Sequence, residues 1–221
     1  MMKNRLFRSL AAASLAVMLV LAGCSQGGEP SSSVAENSSS LEPESVPTIY
    51  IGTYEEDGSE SFTAYPYVSS GETTPEELIQ AMAELTGWDL TLSADDPVTS
   101  GKGGMTVSFA PESAIFTGPP TEQKEEFHMF SADQLCTTIF DSVQKTLQEN
   151  FSPANPEALD IYYCTDGSTE IQLDNLGIVL PIDEPYSHSL FQQLLLSANQ
   201  SSMDSLFDDA SSNGASDEPA A

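Results

Sequence analysis

Apolar and polar positions alternate in two different ways along this chain, and the difference predicts its secondary structure. A period of two, which places every second side chain on one face of a strand, runs through residues 48–53 and 105–109. Spacings of three and four, typical of one face of a helix, run through residues 78–85 and 136–147. The mixture predicts one α+β domain over residues 48–198, large enough to bury a hydrophobic core.

The start of the first helix is marked by local chemistry. Thr74 is followed by Pro75, which suits the first helical position, and Glu77 stands where it completes a capping box. Gly87 follows the last apolar position and predicts the end of the helix.

The second helix has a similar pattern. Ser131 and Gln134 have capping-box spacing, and Phe130 and Leu135 have the spacing of a hydrophobic staple. Pro153 prevents the helix from continuing.

Further strands are predicted at residues 62–68, 159–164 and 171–173, with residues 178–180 as an extension of the last, and a short final helix is predicted at 190–196. The resulting order, β-β-α-β-α-β-β before the final helix, predicts one small mixed sheet with two or three helices packed on one face.

The N-terminus has the pattern of an export signal. Basic residues precede an apolar run from residue 10 to residue 22, and a Leu-Ala-Gly-Cys sequence ends at Cys24. Thirteen apolar residues would span about 20 Å as a helix, less than the ~30 Å hydrocarbon core, which favours a cleaved leader over a permanent span. The segment resembles the bacterial lipoprotein signal. This resemblance implies removal of residues 1–23, lipidation of Cys24 and attachment to the outer face of the cell membrane.

Composition separates both ends from the domain. Residues 24–47 are rich in Ser, Glu and Pro and predict a disordered tether, while residues 199–221 predict a disordered acidic tail. The whole chain has 34 acidic and six basic residues, a formal net charge of −28, and loss of the leader removes three of the basic residues and no acid. Because such a field repels phosphate backbones, a nucleic-acid partner is not expected.

No catalytic, cofactor-binding or metal-ligating constellation stands out. The two histidines, His128 and His188, are far apart and are interpreted as packing residues beside helix starts. Cys136 and Cys164 are compatible with a disulfide or with two buried thiols, and their spacing leaves both possibilities open. Acidic clusters such as residues 55–57, 95–96 and 166–170 are interpreted as solvated loops, because none has the alternation of a calcium loop.

Tyrosines on predicted strands offer the clearest candidate for a binding surface. If helices cover one face of the sheet, the other face could carry Tyr50 and Tyr162 together with Tyr65 or Tyr67. Tyrosine-lined faces are good contact surfaces for proteins and glycans. The alternative is that these rings pack beneath loops or the last helix.

Four segments together resemble the GerMN domain of sporulation and spore-germination proteins. They are residues 74–82, 105–109, 161–167 and 177–186, and the resemblance covers roughly residues 48–187. It implies a fold like the ring-building modules of envelope assemblies, and a scaffold role without known catalysis. Ser108 departs from the family, which often has Asp there, and the segment at 150–158 is longer than usual.

Two functions are therefore expected as alternatives. The first is a non-enzymatic, membrane-anchored extracytoplasmic lipoprotein that binds an envelope or sporulation protein. The second is an extracytoplasmic hydrolase, or a lipoprotein that binds a solute or wall glycan. The second would need a pocket that contains His128 or a pair of carboxylates with perturbed protonation.

Overall fold

The protein is described here by a computed structural model that covers residues 46–54, 60–69, 71–101 and 103–212. The predicted leader, Cys24 and nearly all of the predicted tether lie outside these residues. The described part is a mixed α+β fold, as predicted, with seven strands and four α-helices. The strands are β1 (Thr48–Tyr54), β2 (Glu60–Pro66), β3 (Val98–Gly101), β4 (Gly104–Phe109), β5 (Asp160–Thr165), β6 (Ile171–Leu173) and β7 (Ile178–Leu180). The helices are α1 (Pro75–Thr86), α2 (Ala114–Thr117), α3 (Ala132–Phe151) and α4 (His188–Ser212), with single 3-10 turns at Glu125–Phe127 and Pro156–Ala158.

The strands form three small sheets, where the sequence pattern predicted one. β1 and β2 form an antiparallel hairpin in register from Thr48 opposite Pro66 to Tyr54 opposite Glu60. The central sheet has the order β3-β4-β5, in which β3 is antiparallel and β5 parallel to β4. β6 and β7 form a separate antiparallel pair. The parallel pairing of β4 and β5 is possible because the long connection between them contains α3, which crosses back over the sheet.

Helix α1 begins and ends as its sequence predicts. The Thr74 hydroxyl accepts a hydrogen bond from the Glu77 backbone N–H at 3.2 Å, and the Glu77 carboxylate accepts one from the Thr74 N–H at 3.3 Å. Gly87 then adopts a left-handed conformation with φ of 80° and donates its N–H to the Ala83 carbonyl. Both ends follow from interactions within a few residues, which is why the sequence was sufficient.

The predicted capping box and staple of α3 are wrong. Ser131 has the extended backbone of a cap residue, yet its hydroxyl makes no capping hydrogen bond. Phe130 is 85% exposed and so does not pack on Leu135 as a staple would. Helix α3 is instead held by tertiary packing, since eleven of its twenty residues are buried.

A polar stripe on α3, made of Ser142, Thr146 and Asn150, hydrogen-bonds to the edge of β1 that is not paired with β2. Ser142 and Thr146 accept hydrogen bonds from the N–H groups of Gly52 and Tyr50, each at 2.9 Å. The Asn150 side chain accepts from the Thr48 N–H at 2.9 Å and donates to the Thr48 carbonyl at 2.7 Å. The match is geometric: four helical residues rise about 6.0 Å, and two strand residues rise about 6.6 Å. The stripe therefore pairs with alternate strand residues and fixes the hairpin against α3.

The apolar core lies between the hairpin, α1, α3 and the central sheet. Ile49 and Ile51 reach it from β1, and Val107 and Phe109 reach it from β4. Cys136 and Cys164 are both buried free thiols, so the disulfide that the sequence left open is not formed. Helix α4 runs to Ser212, well into the region that composition predicted to be disordered. None of the helices in the described part of the chain combines the length and apolar character that a membrane span requires.

Candidate functional site

A buried carboxylate on α3 is the centre of the candidate site. Asp141 is 3% exposed and lies on the same turn as Ser142, at the point where α3 meets the hairpin. One of its oxygens, Oδ1, accepts a hydrogen bond from the Tyr186 hydroxyl at 2.6 Å. The other, Oδ2, lies 2.8 Å from Nδ1 of His188. A carboxylate removed from water in this way needs such partners, because burial without them is strongly unfavourable.

His188 reaches Asp141 from the first residue of α4. The Ser187 hydroxyl accepts a hydrogen bond from the Leu190 N–H at 3.3 Å, which caps α4 and holds His188 at its first turn. About a third of the His188 side chain remains exposed. The imidazole therefore connects a buried carboxylate with solvent.

Glu60 adds a second carboxylate at the start of β2. Its pKa is raised from the usual 4.5 to about 7, first because burial disfavours the charged form and second because Asp141 lies close by. His188 and Lys145 oppose the rise in pKa. Part of the Glu60 side chain remains in contact with solvent.

The segment before α4 is anchored so that Tyr186 holds Asp141 in place. The Tyr186 N–H donates to the Ile161 carbonyl at 2.7 Å, and the Gln144 side chain donates to the Tyr186 carbonyl at 2.9 Å. The Tyr186 ring packs against Phe140 with centroids 5.4 Å apart. The backbone and the ring of Tyr186 are thus both fixed, and so is the position of its hydroxyl beside the carboxylate.

These three groups have the chemistry of a cation site or of an acid–base site. Glu60, Asp141 and His188 each offer one ligand atom, and the three atoms lie within 4.8 Å of one another. Within the residues described by the structure, no other group of three histidine, cysteine or acidic side chains comes so close together.

The structure does not bring the predicted tyrosine surface together. Tyr50 and Tyr65 lie on opposite faces of the hairpin, because Tyr65 pairs with Ile49. Tyr65 packs edge-on against Phe127, with ring centroids 5.8 Å apart. Tyr162 belongs to a different sheet.

Two of the tyrosines line separate clefts. Tyr67 borders a cleft of about 540 Å³ with Val46 and Val68, near the start of the domain. Tyr162 borders one of about 260 Å³ with Thr106 and Ile182. Each of these two clefts is therefore lined by only one of the four predicted tyrosines.

The two histidines that the sequence singled out have different surroundings. His128 is exposed, and its ring lies tilted against the ring of exposed Phe130 with centroids 4.5 Å apart. His188 was interpreted as a packing residue, and the structure instead pairs it with Asp141. Residues 55–59 and Cys24 are outside the described residues.

Sequence reasoning missed Glu60 and Asp141 altogether. They are separated by 81 positions, and His188 lies a further 47 positions along the chain. One signal was present: Asp141 is an acidic residue within the buried stripe of α3, and buried carboxylates need partners. Comparison of the chain with protein-family models, with curated proteins and with solved structures gives no match.

Proposed function

We propose that this chain is a membrane-anchored extracytoplasmic lipoprotein whose folded domain is a non-enzymatic scaffold for another envelope or sporulation protein. The observation that carries the proposal is the Leu-Ala-Gly-Cys sequence ending at Cys24, directly after a short apolar leader. Two acyl chains on that cysteine would hold the domain stably on a bilayer. The resemblance to GerMN domains belongs to the same proposal and supplies its sporulation or envelope context.

The surface that best fits a partner lies where the domain begins. Val46 and Val68 line the Tyr67 cleft and are 60% and 88% exposed. Exposed aliphatic side chains beside an aromatic ring are typical of the central part of protein interfaces. A partner seated here would lie close to the end of the tether.

The lipid anchor is tested by Cys24→Ala. The variant should either leave the membrane fraction or keep its leader uncleaved, as seen by fractionation and mass spectrometry. Cys164→Ala is the matched control and should stay membrane-bound and processed. A Cys24→Ala protein that is still cleaved and firmly bound to membranes would contradict the anchor.

The docking surface is tested by photo-crosslinking in intact cells. A photoreactive residue at Val68 should capture one discrete protein. The same residue at Leu196, which is also exposed at 61%, serves as the control and should not capture that protein. Identical adducts at both positions, or adducts with lipid and wall material alone, would remove the scaffold proposal.

The second candidate function, an extracytoplasmic hydrolase or a lipoprotein that binds a solute or wall glycan, is favoured by one observation. Glu60 has a pKa of about 7 beside Asp141, and general acids work best when their pKa is near the working pH. Turnover of wall fragments by the wild type and its loss in Glu60→Gln would support this function. Turnover that persists in Glu60→Gln would show that this pair is not the acid.

A further inference from the structure

Three segments far apart in sequence present ligand groups to one point. Glu60 comes from β2, Asp141 from α3 and His188 from α4, and their ligand atoms lie within 4.8 Å of one another. Tetrahedral zinc with bonds of about 2.0–2.1 Å keeps its ligand atoms about 3.3 Å apart. The His188–Asp141 pair, now at 2.8 Å, would open slightly. Glu60 is exposed and its side chain is hydrogen-bonded to Asp141, so binding of the ion would replace that hydrogen bond.

The buried ligand is already oriented by its surroundings. Protein groups that bind metals are usually fixed by hydrogen bonds from neighbouring residues, which set the direction of the ligating atom. Here the Tyr186 hydroxyl donates a hydrogen bond to Oδ1 of Asp141 at 2.6 Å, and the other oxygen, Oδ2, is directed toward His188. Tyr186 is 3% exposed and is held through its own backbone, so this arrangement does not depend on a mobile side chain.

The negative charge of the cluster also favours the binding of a cation. Glu60 is hydrogen-bonded to Asp141, and the charges of the two acids repel each other. Lys145, one turn along α3 from Asp141, is paired with Glu149 at 2.7 Å and offsets this repulsion only in part. A divalent ion would neutralise both carboxylates, and the strongly acidic chain would raise the local concentration of cations.

We propose that Glu60, Asp141 and His188 form a binding site for one divalent transition-metal ion, with Zn²⁺ as the expected ion. The imidazole nitrogen favours zinc over calcium or magnesium, which prefer oxygen ligands alone. Three protein ligands leave a fourth coordination position for water or for a group from a bound molecule. The ion would also connect the hairpin, α3 and the start of α4. This site is independent of the scaffold proposal.

The test uses the full-length protein in detergent, stripped with EDTA and titrated with ZnCl₂ by calorimetry in millimolar CaCl₂. Calcium occupies the non-specific acidic sites. The wild type should bind one equivalent of Zn²⁺, and saturating Zn²⁺ should raise its melting temperature. Glu60→Gln and His188→Gln should each weaken binding at least tenfold. His128→Gln alters the other histidine of the chain and should bind like the wild type.

Three results would overturn the proposal. The first is no binding of Zn²⁺ above the calcium background. The second is equal weakening by His128→Gln and His188→Gln. The third is unchanged binding in Glu60→Gln, which alters a partly exposed side chain and therefore leaves the apo fold intact. Circular dichroism of each apo variant separates a lost ligand from a lost fold.

Discussion

Two threonines on α3 allow the contribution of the polar stripe to the free energy of unfolding to be measured directly. Thr146 and Thr138 are both fully buried on the same helix. The Thr146 hydroxyl accepts a hydrogen bond from the Tyr50 N–H at 2.9 Å and donates one to the Tyr50 carbonyl at 3.3 Å. The Thr138 hydroxyl has no hydrogen-bond partner within the described part of the protein. Replacement by valine exchanges a hydroxyl for a methyl at both positions. It removes hydrogen bonds to β1 at Thr146 and removes none at Thr138.

The two substitutions should therefore have different effects on the free energy of unfolding. Thr146→Val leaves the part-buried Tyr50 N–H without its acceptor, which should lower the free energy of unfolding by about 1–3 kcal/mol. Thr138→Val removes an unsatisfied polar atom and should leave stability unchanged or raise it by up to about 1 kcal/mol. For a domain of this size, a loss of about 2 kcal/mol lowers the melting temperature by about 4–8 °C.

Urea unfolding followed by tryptophan fluorescence is a suitable assay, because Trp88 is the chain's one tryptophan and is 2% exposed. Its emission should shift when the core opens. The comparison is between the midpoints of the two variants at equal slope. If both variants lose the same stability, the hydrogen bonds to β1 are not the cause. If Thr146→Val unfolds at the wild-type midpoint, the stripe does not stabilise the hairpin.

Three further predictions follow from the same structure. Burial raises the pKa of the Cys136 thiol to about 12, so iodoacetamide at pH 8 should leave Cys136 unmodified in the folded protein and label it in urea, as read by mass spectrometry; rapid labelling of the folded protein would contradict its burial. Gly104→Ala would place a Cβ 2.4 Å from the Asp160 carbonyl oxygen and should destabilise the domain by about 2 kcal/mol or more in urea unfolding, whereas Gly101→Ala, with no atom within 4 Å, should stay within about 0.5 kcal/mol; equal losses would contradict this. Because the folded pKa of Glu60, about 7, lies above its usual 4.5, its contribution to stability is present below pH 4.5 and is lost as the pH rises through 7. After screening by solvent this contribution is about 1 kcal/mol, and unfolding in EDTA between pH 4.5 and 8 should show it in the wild type and not in Glu60→Gln; identical pH dependence in both proteins would contradict it.

Local signals predicted local structure well. The capping box at Thr74 and Glu77 and the end at Gly87 both hold, because each is closed by atoms a few residues apart. The same signals at Ser131 and Phe130 failed, since α3 is held by burial on several sides and has no need of its cap. Residue pattern therefore predicts a helix end reliably only where local bonds decide it.

The alternation of apolar and polar residues could not predict which strands pair. Alternation shows which side chains share a face, and it predicted β1, β4 and β5 without showing which strands pair. The outer edge of β1 is paired with side chains of α3 and not with another strand. A helix that supplies hydrogen bonds to a sheet edge ends that sheet, which is one physical reason that three small sheets replace the single one expected.

The sequence by itself determined the α+β class, the first helix with both of its ends, the strand faces and the strongly acidic charge, because each depends on residue type or on near neighbours. The tertiary structure decided which strands pair, that Cys136 and Cys164 stay as thiols, and that Glu60 and His188 meet at Asp141. Those outcomes depend on the closure of loops tens of residues long around a packed core. The spacing of Glu60, Asp141 and His188 along the chain therefore does not predict that they lie together.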